Sequence, residues 1–258
     1  MLAHMIFELN QRKREILKAI VSDYIETAEP VGSSAINHNY IREVSPATIR
    51  AEMNSLEQIG YITHPYTSAG RIPTDSGYRY YVDNIMEKKN ISGKEITLIK
   101  NGIKKIGNGI EEIVHGTVRL LSQLLNQVTV FIARPKANRQ KIYAAGLSNA
   151  LNQPDFKNLE EVRNFVQMIE REDFLTRIFD DYGQDESVNL HIGHENRFKE
   201  VKDLSVIVSR ANLGGMFPGT IGIIGPTRMN YGRIFSIIDQ FNKEANNIEE
   251  EIIHVRID

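Results

Sequence analysis

The chain has 258 residues, no cysteine, no tryptophan and a formal net charge of −2. A chain of this length forms one or two domains with a sizeable core, and without cysteine it has neither disulfides nor cysteine–zinc sites. Residues 1–9 lack the charged start and apolar core of a signal peptide. No apolar run approaches the roughly 18 residues of a membrane span. We therefore expect a soluble, cytoplasmic protein.

The beginning of the chain has the periodicity of three short helices. Apolar residues recur every three or four positions over 10–27, which predicts an amphipathic helix that is ended by residues 30–32. Ser33 or Ser34 can cap a short second helix that extends through Ile36. A third helix is predicted over 45–59, because its first residue is a serine, a good N-cap, and the proline that follows loses no intrahelical hydrogen bond there.

The predicted third helix has two different faces. The apolar stripe, which should pack on the first two helices, contains Ile49, Met53, Leu56 and Ile59. The opposite face contains Ala47, Arg50, Ala51, Asn54 and Gln58. Arginine pairs with guanine edges and asparagine or glutamine with adenine, and each good pair gives roughly 1–3 kcal/mol of discrimination. Taken alone, this face is compatible both with base recognition in the major groove and with simple exposure to water.

A β-turn that carries an arginine follows this helix directly. Residues 61–64 read as a strand, 65–70 as a turn and 71–72 as a returning strand, which is the pattern of a wing beside a helix-turn-helix. Arg71 would lie beside the tip and contact phosphate or enter a minor groove. Thr67 and Ser68 would add hydrogen bonds to phosphate. Together the helix and the turn indicate a DNA-binding regulator.

A further helix follows the turn. Thr74 or Asp75 is predicted to cap it, and it should extend to about Met86. Residues 78–81 form an aromatic and basic cluster. We expect the tyrosines of this cluster, Tyr81 in particular, to pack behind the wing rather than contact nucleic acid.

The charge of this part of the chain is unusual for a DNA-binding domain. Up to residue 88 there are 9 Lys and Arg against 11 Asp and Glu, which gives a net charge of −2. The positive field must therefore come from the local placement of Arg50, Arg71, Arg79 and a few lysines. This predicts few phosphate contacts per subunit and modest non-specific affinity.

The middle of the chain has an a/d heptad pattern. Its positions are Ile96, Ile99, Ile103, Ile106, Ile110, Ile113, Thr117, Leu120 and Leu124. Such a pattern forms either a two-stranded coiled coil or helices that pack on a neighbouring domain. Glycines at 102, 107, 109 and 116 weaken a coiled coil, since each costs roughly 1 kcal/mol in a helix interior. We therefore favour packing on the neighbouring domain.

The pattern beyond residue 127 is that of a mixed helix and sheet domain. Strands rich in valine and isoleucine are predicted at 128–134, 141–145, 188–192, 204–210 and 220–224. Helices are predicted at 159–171 and at about 231–253. Because no β-α-β rhythm is present, the predicted fold class is α+β with a mostly antiparallel sheet.

Motifs for catalysis and cofactor binding are weak. No GxGxxG or Walker sequence is present, and residues 214–215 and 225–226 read as hairpin turns. His191 and His194 invite a metal hypothesis, but histidines three apart in a strand face opposite sides of the sheet. We therefore predict no cofactor, no metal site and no enzymatic activity.

Several motifs resemble one known family. They are SPATIR at 45–50, LEQIG at 56–60, TSAGRIPT at 67–74, GYRYYVD at 77–83, GLSN at 146–149, LNQPDF at 151–156 and GTIGIIGPTRM at 219–229. In this order they resemble HrcA, the bacterial heat-inducible transcription repressors, over about residues 6 to 243. The resemblance implies a winged helix-turn-helix at 1–90, a linker at 91–127 and a GAF-like regulatory and dimerisation domain at 128–258.

The resemblance also implies a function and a set of contacts. Such repressors control chaperone operons by binding an inverted repeat called CIRCE, and the GroE chaperonin keeps them competent to bind. By matching position and by the helix geometry above, Ala47, Thr48, Arg50 and Asn54 would read the major groove, with Arg71 on the wing. The complete set of predicted DNA-binding residues is Ser45, Ala47, Thr48, Arg50, Asn54, Thr67, Ser68, Arg71 and Arg79.

This chain departs from the family in its middle. Members usually have an inserted dimerising segment within the GAF-like region, whereas here fewer than twenty residues separate 125–127 from 146–149. A symmetric operator still requires a two-fold protein. We expect a homodimer formed by the isoleucine heptad or by a C-terminal helix with Ile234, Ile237, Phe241, Ile248 and Ile252.

A second function is compatible with the same sequence. The GAF-like half would then bind a small molecule, and the winged helix would contact protein. A deep apolar pocket with converging polar groups within residues 128–230 would favour this alternative.

Overall fold

The computed structural model describes residues 8–104, 110–134, 140–156, 158–185, 187–213 and 217–255. They form two compact units. The first unit extends to Glu87 and includes Thr227–Asn230, and the second contains Lys88–Pro226 and the chain from Tyr231 onward. Neither contains a helix, among these residues, with the length and apolar character that a membrane crossing requires.

The first unit consists of four helices and a two-stranded hairpin. These are α1 (Gln11–Thr27), α2 (Ser33–Asn39), α3 (Pro46–Gln58), β1 (Ile62–Thr63), β2 (Ile72–Pro73) and α4 (Asp75–Asn84). The strands are antiparallel, with Ile62 opposite Pro73. An isolated bridge pairs Val31, between α1 and α2, with Arg71. The predicted order of helices and strands is therefore confirmed, while the bridge to Val31 was not predicted.

Helix α3 has the N-cap that its sequence predicts and most of the predicted buried face, but Ile59 is the C-cap and is only half-buried. The Oγ of Ser45 accepts a hydrogen bond from the N–H of Thr48 at 3.2 Å, and proline occupies the first helical position. Ile49, Met53 and Leu56 are buried. These side chains pack α3 against the core of the first unit, which leaves the opposite face to solvent.

The cap predicted for α2 was wrong. Ser33 lies inside the helix and is itself buried, and the N-cap is Gly32, which makes no side-chain hydrogen bond. The backbone of Gly32 is extended, and its carbonyl accepts from the N–H of Ile36 at 3.1 Å. The helix can begin one residue earlier than predicted because a glycine is tolerated at the N-cap almost as well as a serine.

The second unit is a five-stranded sheet with helices on both faces. Its elements are α5 (Gly93–Lys104), α6 (Ile110–Leu125), β3 (Val128–Ala133), β4 (Lys141–Ala145), α7 (Leu147–Leu151), α8 (Leu159–Ile169), α9 (Glu172–Tyr182), β5 (Asn189–Ile192), β6 (Leu204–Leu213), β7 (Phe217–Pro226) and α10 (Tyr231–Val255). The strand order is β4-β3-β7-β6-β5, and every neighbouring pair is antiparallel. The predicted mixed fold with a mostly antiparallel sheet is confirmed.

The helix predicted at 159–171 is confirmed as α8, which ends two residues earlier, at Ile169. A separate helix, α9, begins at Glu172 after the extended backbone of Arg171 and was not predicted. The turn predicted at 225–226 was wrong, because these residues are the end of β7, where Gly225 pairs with Ser205. The turn predicted at 214–215 lies outside the described residues.

Both faces of the sheet are covered. On one face, Val128, Val130 and Ile132 pack in a cluster with aromatic side chains of α8 and α9. On the other face, Ser205 and Ser209 hydrogen-bond to Tyr231 and Asn242 of α10. All six residues of β3 are consequently buried, which is why five of them are apolar and the strand does not alternate between apolar and polar residues.

The heptad segment packs within the second unit. Helices α5 and α6 contact each other, α5 contacts α10, and α6 contacts β3 and β4, as favoured over a coiled coil. The predicted register is wrong in α6, where Leu120 and Leu124 are only half-buried. The buried residues there are Val114, Thr117, Val118, Leu121, Ser122 and Leu125. Because α6 is a separate helix that begins at Ile110, its buried stripe does not continue the heptad of α5. The side chains of Ile103, Ile106, Ile110 and Ile113 lie outside the described part.

A glycine at the start of α4 allows a close approach to the hairpin. A methyl group on Gly77 would lie 1.9 Å from the carbonyl oxygen of Tyr61, which is backbone and cannot rotate away. We expect Gly77→Ala to lower the free energy of unfolding of the first unit by at least roughly 1–3 kcal/mol, the usual cost of overpacking. Urea unfolding followed by circular dichroism measures this loss. Gly93→Ala in α5 is the control, since its methyl group would meet nothing within 4 Å, and equal losses in both variants would contradict the prediction.

Candidate nucleic-acid interface

The solvent-facing side of α3 carries the residues that the sequence predicted there. They are Ala47, Arg50, Ala51, Asn54 and Gln58, and all are exposed. Arg50 has no hydrogen bond or ion pair within the described part of the chain. Its guanidinium can therefore direct all of its donors toward a base edge or a phosphate without first breaking a contact.

A cleft of about 360 Å³ lies between α3 and the loop that joins β1 to β2. We call it the helix–loop cleft. Its lining residues come from the start of α2, from α3 and from the loop, and are Gly32, Ser33, Ser34, Arg50, Met53, Asn54, Thr67, Ser68, Ala69, Gly70 and Arg71. Five of the predicted DNA-binding residues therefore meet around one depression, namely Arg50, Asn54, Thr67, Ser68 and Arg71.

The bridge between Val31 and Arg71 closes the base of this cleft. The N–H of Arg71 donates to the carbonyl of Val31 at 2.8 Å, and the reverse hydrogen bond is 2.9 Å long. Gly70 permits this approach, because a side chain there would come within 2.6 Å of the backbone of Pro30 and Val31. Arg71 accordingly lies at the base of the loop. The sequence had predicted a position beside the tip, and that prediction was wrong. The tip is formed around Tyr66, whose carbonyl accepts from the N–H of Ala69 and which is 63% exposed.

The side chain of Arg71 is paired with α3. Its Nη2 lies 2.8 Å from Oε2 of Glu57 and 3.4 Å from Oδ1 of Asn54. The other oxygen of Glu57 accepts from His64 Nδ1. Burial raises the pKa of the Glu57 carboxyl, but the hydrogen bond with His64 and the charge of Arg71 outweigh burial and hold that pKa below its ordinary value. Glu57 is thus a carboxylate that ties the loop to the last turn of α3.

The other predicted residues lie outside the cleft. Ser45 caps α3 and is 3.0 Å from the hydroxyl of Thr48, so both hydroxyls already have a local partner. Ala47 is exposed in the first turn of the same helix. Arg79 lies on α4, where its Nη1 is 3.3 Å from a carboxylate oxygen of Asp83. The structure therefore separates these four residues from the five that line the cleft.

Sequence analysis missed part of the cleft lining. Gly32, Ser33 and Ser34 were interpreted only as a helix start, although they line the cleft together with Arg50 and Asn54. Small residues next to a turn carry no periodic signal. Only the fold of α2 beside the loop brings them to this place.

A cavity of about 570 Å³ lies in the second unit. Phe156, Phe165 and Met168 contribute apolar surface to it. Six of its lining residues are charged, namely Asp155, Glu161, Arg171, Lys199, Glu200 and Asp203. It therefore differs from the deep apolar pocket with a few polar groups that typically binds a small molecule.

The two histidines that invited a metal hypothesis do not form a ligand set. The ring of His191 is stacked on Tyr182 with centroids 3.7 Å apart, and His194 lies in a short 3₁₀ turn. Within the described ranges, no group of three or more His, Asp or Glu side chains is placed to hold a metal ion.

Comparison with known proteins identifies similar chains. A family model described as the HrcA protein C-terminal domain matches residues 84–235. A heat-inducible transcription repressor HrcA from Desulforamulus reducens is 29% identical over 343 positions, covering 95% of this chain and 99% of the relative. Another protein of that name, from Thermoanaerobacter sp. strain X514, is 30% identical over 345 positions, covering 96% and 99%. These alignments are longer than the chain itself, so the relatives contain positions that it lacks, in agreement with its short middle.

The fold has also been seen in a crystal. A crystal structure of a hypothetical protein superimposes with a TM-score of 0.73, covering 94% of this chain and 98% of that one. The two sequences are 21% identical. The similarity therefore concerns the fold.

Ser45 provides a test of what its hydroxyl does. Because its Oγ accepts from the N–H of Thr48, Ser45→Ala should lower the free energy of unfolding of the first unit by about 1 kcal/mol, the typical value of an N-cap. Ser45→Asp keeps an acceptor and should retain most of the stability. The measurement is urea unfolding of the three proteins. An unchanged midpoint in Ser45→Ala would mean that the hydroxyl does not stabilise α3.

Proposed function

The chain belongs to the HrcA family, and we propose that it is a heat-inducible transcription repressor that binds operator DNA through its first unit. The observation that carries this proposal is the helix–loop cleft, in which the exposed face of α3 and the loop residues Thr67, Ser68 and Arg71 converge. The names of its relatives as heat-inducible transcription repressors support the same function.

We interpret the first unit as a winged helix-turn-helix. The order of three helices, a hairpin and a fourth helix supports this interpretation, with α3 as the recognition helix and the β1–β2 loop as the wing. An α-helix fits the major groove, and a loop beside it can contact the backbone or the adjacent minor groove. On this model residues 1–90 bind DNA, 91–127 link the domains, and 128–258 form a GAF-like regulatory and dimerisation domain.

Each predicted residue receives a role from its place on this unit. Ala47, Thr48, Arg50 and Asn54 would face base edges from α3, and Ser45 and Arg79 would contact phosphates outside the cleft. Thr67, Ser68 and Arg71 would hold the backbone or enter the minor groove from the wing. Since the carboxylate of Glu57 offsets the charge of Arg71 and the N-terminal part of the chain is acidic overall, we expect few phosphate contacts per subunit.

The operator and the partners follow from the family. We propose that the DNA target is a CIRCE-type inverted repeat, that a homodimer binds it, and that the GroE chaperonin keeps the repressor competent. A two-fold operator requires two recognition helices about one helical turn apart. The N-terminal half of α10 is an unsuitable dimer contact, because Ile234, Ile237 and Phe241 are buried within the second unit. The suggested contacts at Ile248 and Ile252 concern side chains outside the described part.

The small-molecule sensor remains the alternative, and the described cavity gives it little support. A sensor pocket would present apolar walls and a few converging polar groups. The 570 Å³ cavity in the second unit instead has six charged lining residues. We therefore propose the operator-binding function alone.

The two arginines of the cleft should differ in what they contribute to binding. Arg50→Ala should cost about 1–3 kcal/mol in operator binding and relax specificity at one base pair, because Arg50 is assigned to a base edge. Arg71→Ala should weaken binding to the inverted repeat and lower the salt slope by about one, because a phosphate contact is lost. Fluorescence anisotropy at several salt concentrations, with an inverted repeat and a scrambled duplex, measures both quantities.

The control is Arg163→Ala, which removes the same charge from an exposed position on α8 of the second unit. It should leave operator binding unchanged. The series is run with and without GroE chaperonin, which should raise the fraction of chains that bind. Equal, weak binding of the wild type to both duplexes under both conditions would contradict the proposed function.

The proposed symmetry gives a separate prediction. Two chains should bind one inverted repeat, and a duplex with a single half-site should bind roughly 10²-fold or more weakly, because linked sites gain avidity. A stoichiometric titration and sedimentation of the complex measure the number of chains. One chain per repeat, with equal affinity for the half-site, would show that this short chain does not act as a dimer.

A further inference from the structure

An acidic residue lies at the proposed DNA interface. Glu57 is in the last turn of α3 and contacts two residues of the hairpin region, His64 and Arg71. A carboxylate at this place repels phosphate, and it cancels the charge of the wing arginine. Because Glu57 opposes non-specific DNA binding, attraction to DNA does not explain why an acidic residue contacts His64 and Arg71 at this place.

The pairing of Arg71 leaves part of its guanidinium available. The Nη2 atom contacts both Glu57 and Asn54. The Nη1 atom is 3.4 Å from the carbonyl oxygen of Ala69, a long hydrogen bond, and Nε is buried without a partner. Guanidinium has five N–H donors in a planar fork. Arg71 can therefore keep Glu57 on Nη2 while Nη1 donates to a phosphate or to a groove atom.

The contact also fixes the geometry of the interface. Glu57 and Asn54 belong to α3, whereas His64 and Arg71 flank the loop, so the four side chains connect the recognition surface to the loop. The side chains of Arg71 and Glu57 are only 19% and 24% exposed, so water screens this pair less than a fully exposed one. The head of Arg71 is thus held at one position relative to Arg50 and Asn54 on α3.

We propose that Glu57 is a specificity-determining positioning residue, which holds Arg71 where an operator phosphate meets it and withholds its charge from DNA that lacks the operator sequence. This inference rests on the proposed function. Non-specific binding depends on the number of phosphates that free cations neutralise. A paired Arg71 contributes little to that number, whereas operator binding places a phosphate next to the available Nη1.

The test is Glu57→Gln, which keeps the shape of the side chain and removes its charge. Affinity for a scrambled duplex should rise roughly five- to tenfold at 0.1 M salt, since one added phosphate contact per chain steepens the salt slope by about 0.9. Affinity for the inverted repeat should rise less, so the ratio of the two affinities should fall. Fluorescence anisotropy over a salt series measures both affinities. An unchanged or higher ratio would overturn the proposal.

A matched control is available on the same helix. Glu52→Gln changes the net charge equally, but Glu52 pairs with Lys13 at 3.2 Å and Arg12 at 4.0 Å rather than with Arg71. This variant should leave the affinity ratio unchanged. If both variants lower the ratio equally, total charge explains the effect and the assignment to Glu57 fails.

The route through Arg71 needs its own measurement. In an Arg71→Ala background, Glu57→Gln should no longer change the affinity ratio, because the group it positions is absent. An equal change in both backgrounds would mean that the carboxylate acts on DNA directly, which would overturn the positioning role. Urea unfolding of each variant verifies that the first unit is folded.

A readout without DNA separates this proposal from the proposed function. In the free protein, the guanidinium protons of Arg71 should exchange slowly in NMR spectra of the wild type and of Glu52→Gln, and rapidly in Glu57→Gln. If the wild type shows no preference for the inverted repeat while Glu57→Gln still speeds the exchange of the Arg71 protons, the proposed function fails. The positioning of Arg71 by Glu57 is then confirmed. Equal exchange in all three proteins would overturn the positioning role.

Discussion

The one-sided burial of α3 is the constraint on which the first unit depends. Ile49, Met53 and Leu56 lie on one stripe of the helix and are buried, so the residues about 180° away must face solvent. Arg50 and Asn54 are exposed for this reason alone. The loop is held in position relative to α3 because Arg71 is tied to Glu57 on that helix and to the backbone of Val31.

The proposed DNA interface is not strongly basic. Of the two arginines that line the helix–loop cleft, Arg50 has no ion pair within the described residues and Arg71 is paired. A domain of this kind gains little from non-specific attraction to DNA. Its proposed selectivity would then come from the geometry of a few side chains, which agrees with a repressor that must release most of the genome and hold one site.

The second unit is stabilised by a different principle. Its sheet is covered by helices on both faces, so β3 is buried along its whole length. The apolar faces of α6 and α10 pack inside the unit. Surfaces that the sequence suggested for dimerisation, such as Ile237 and Phe241, are consequently used for the core of one chain. The proposed dimer must be formed by other residues, and the shortened middle of the chain makes its stoichiometry the most informative property to measure.

The sequence by itself determined the helices and strands of the first unit, the two faces of α3, the cap at Ser45 and the membership of the family. These features are local: periodicity, capping and short motifs depend on residues within a few positions of one another. Only the tertiary structure decided that Arg71 lies at the base of the loop, that Glu57 holds it, that Ser33 and Ser34 line the cleft, and that the buried stripe of α6 is shifted from the predicted heptad. Each of these depends on contacts between segments distant in sequence, and the chain brings such segments together only when the core has formed.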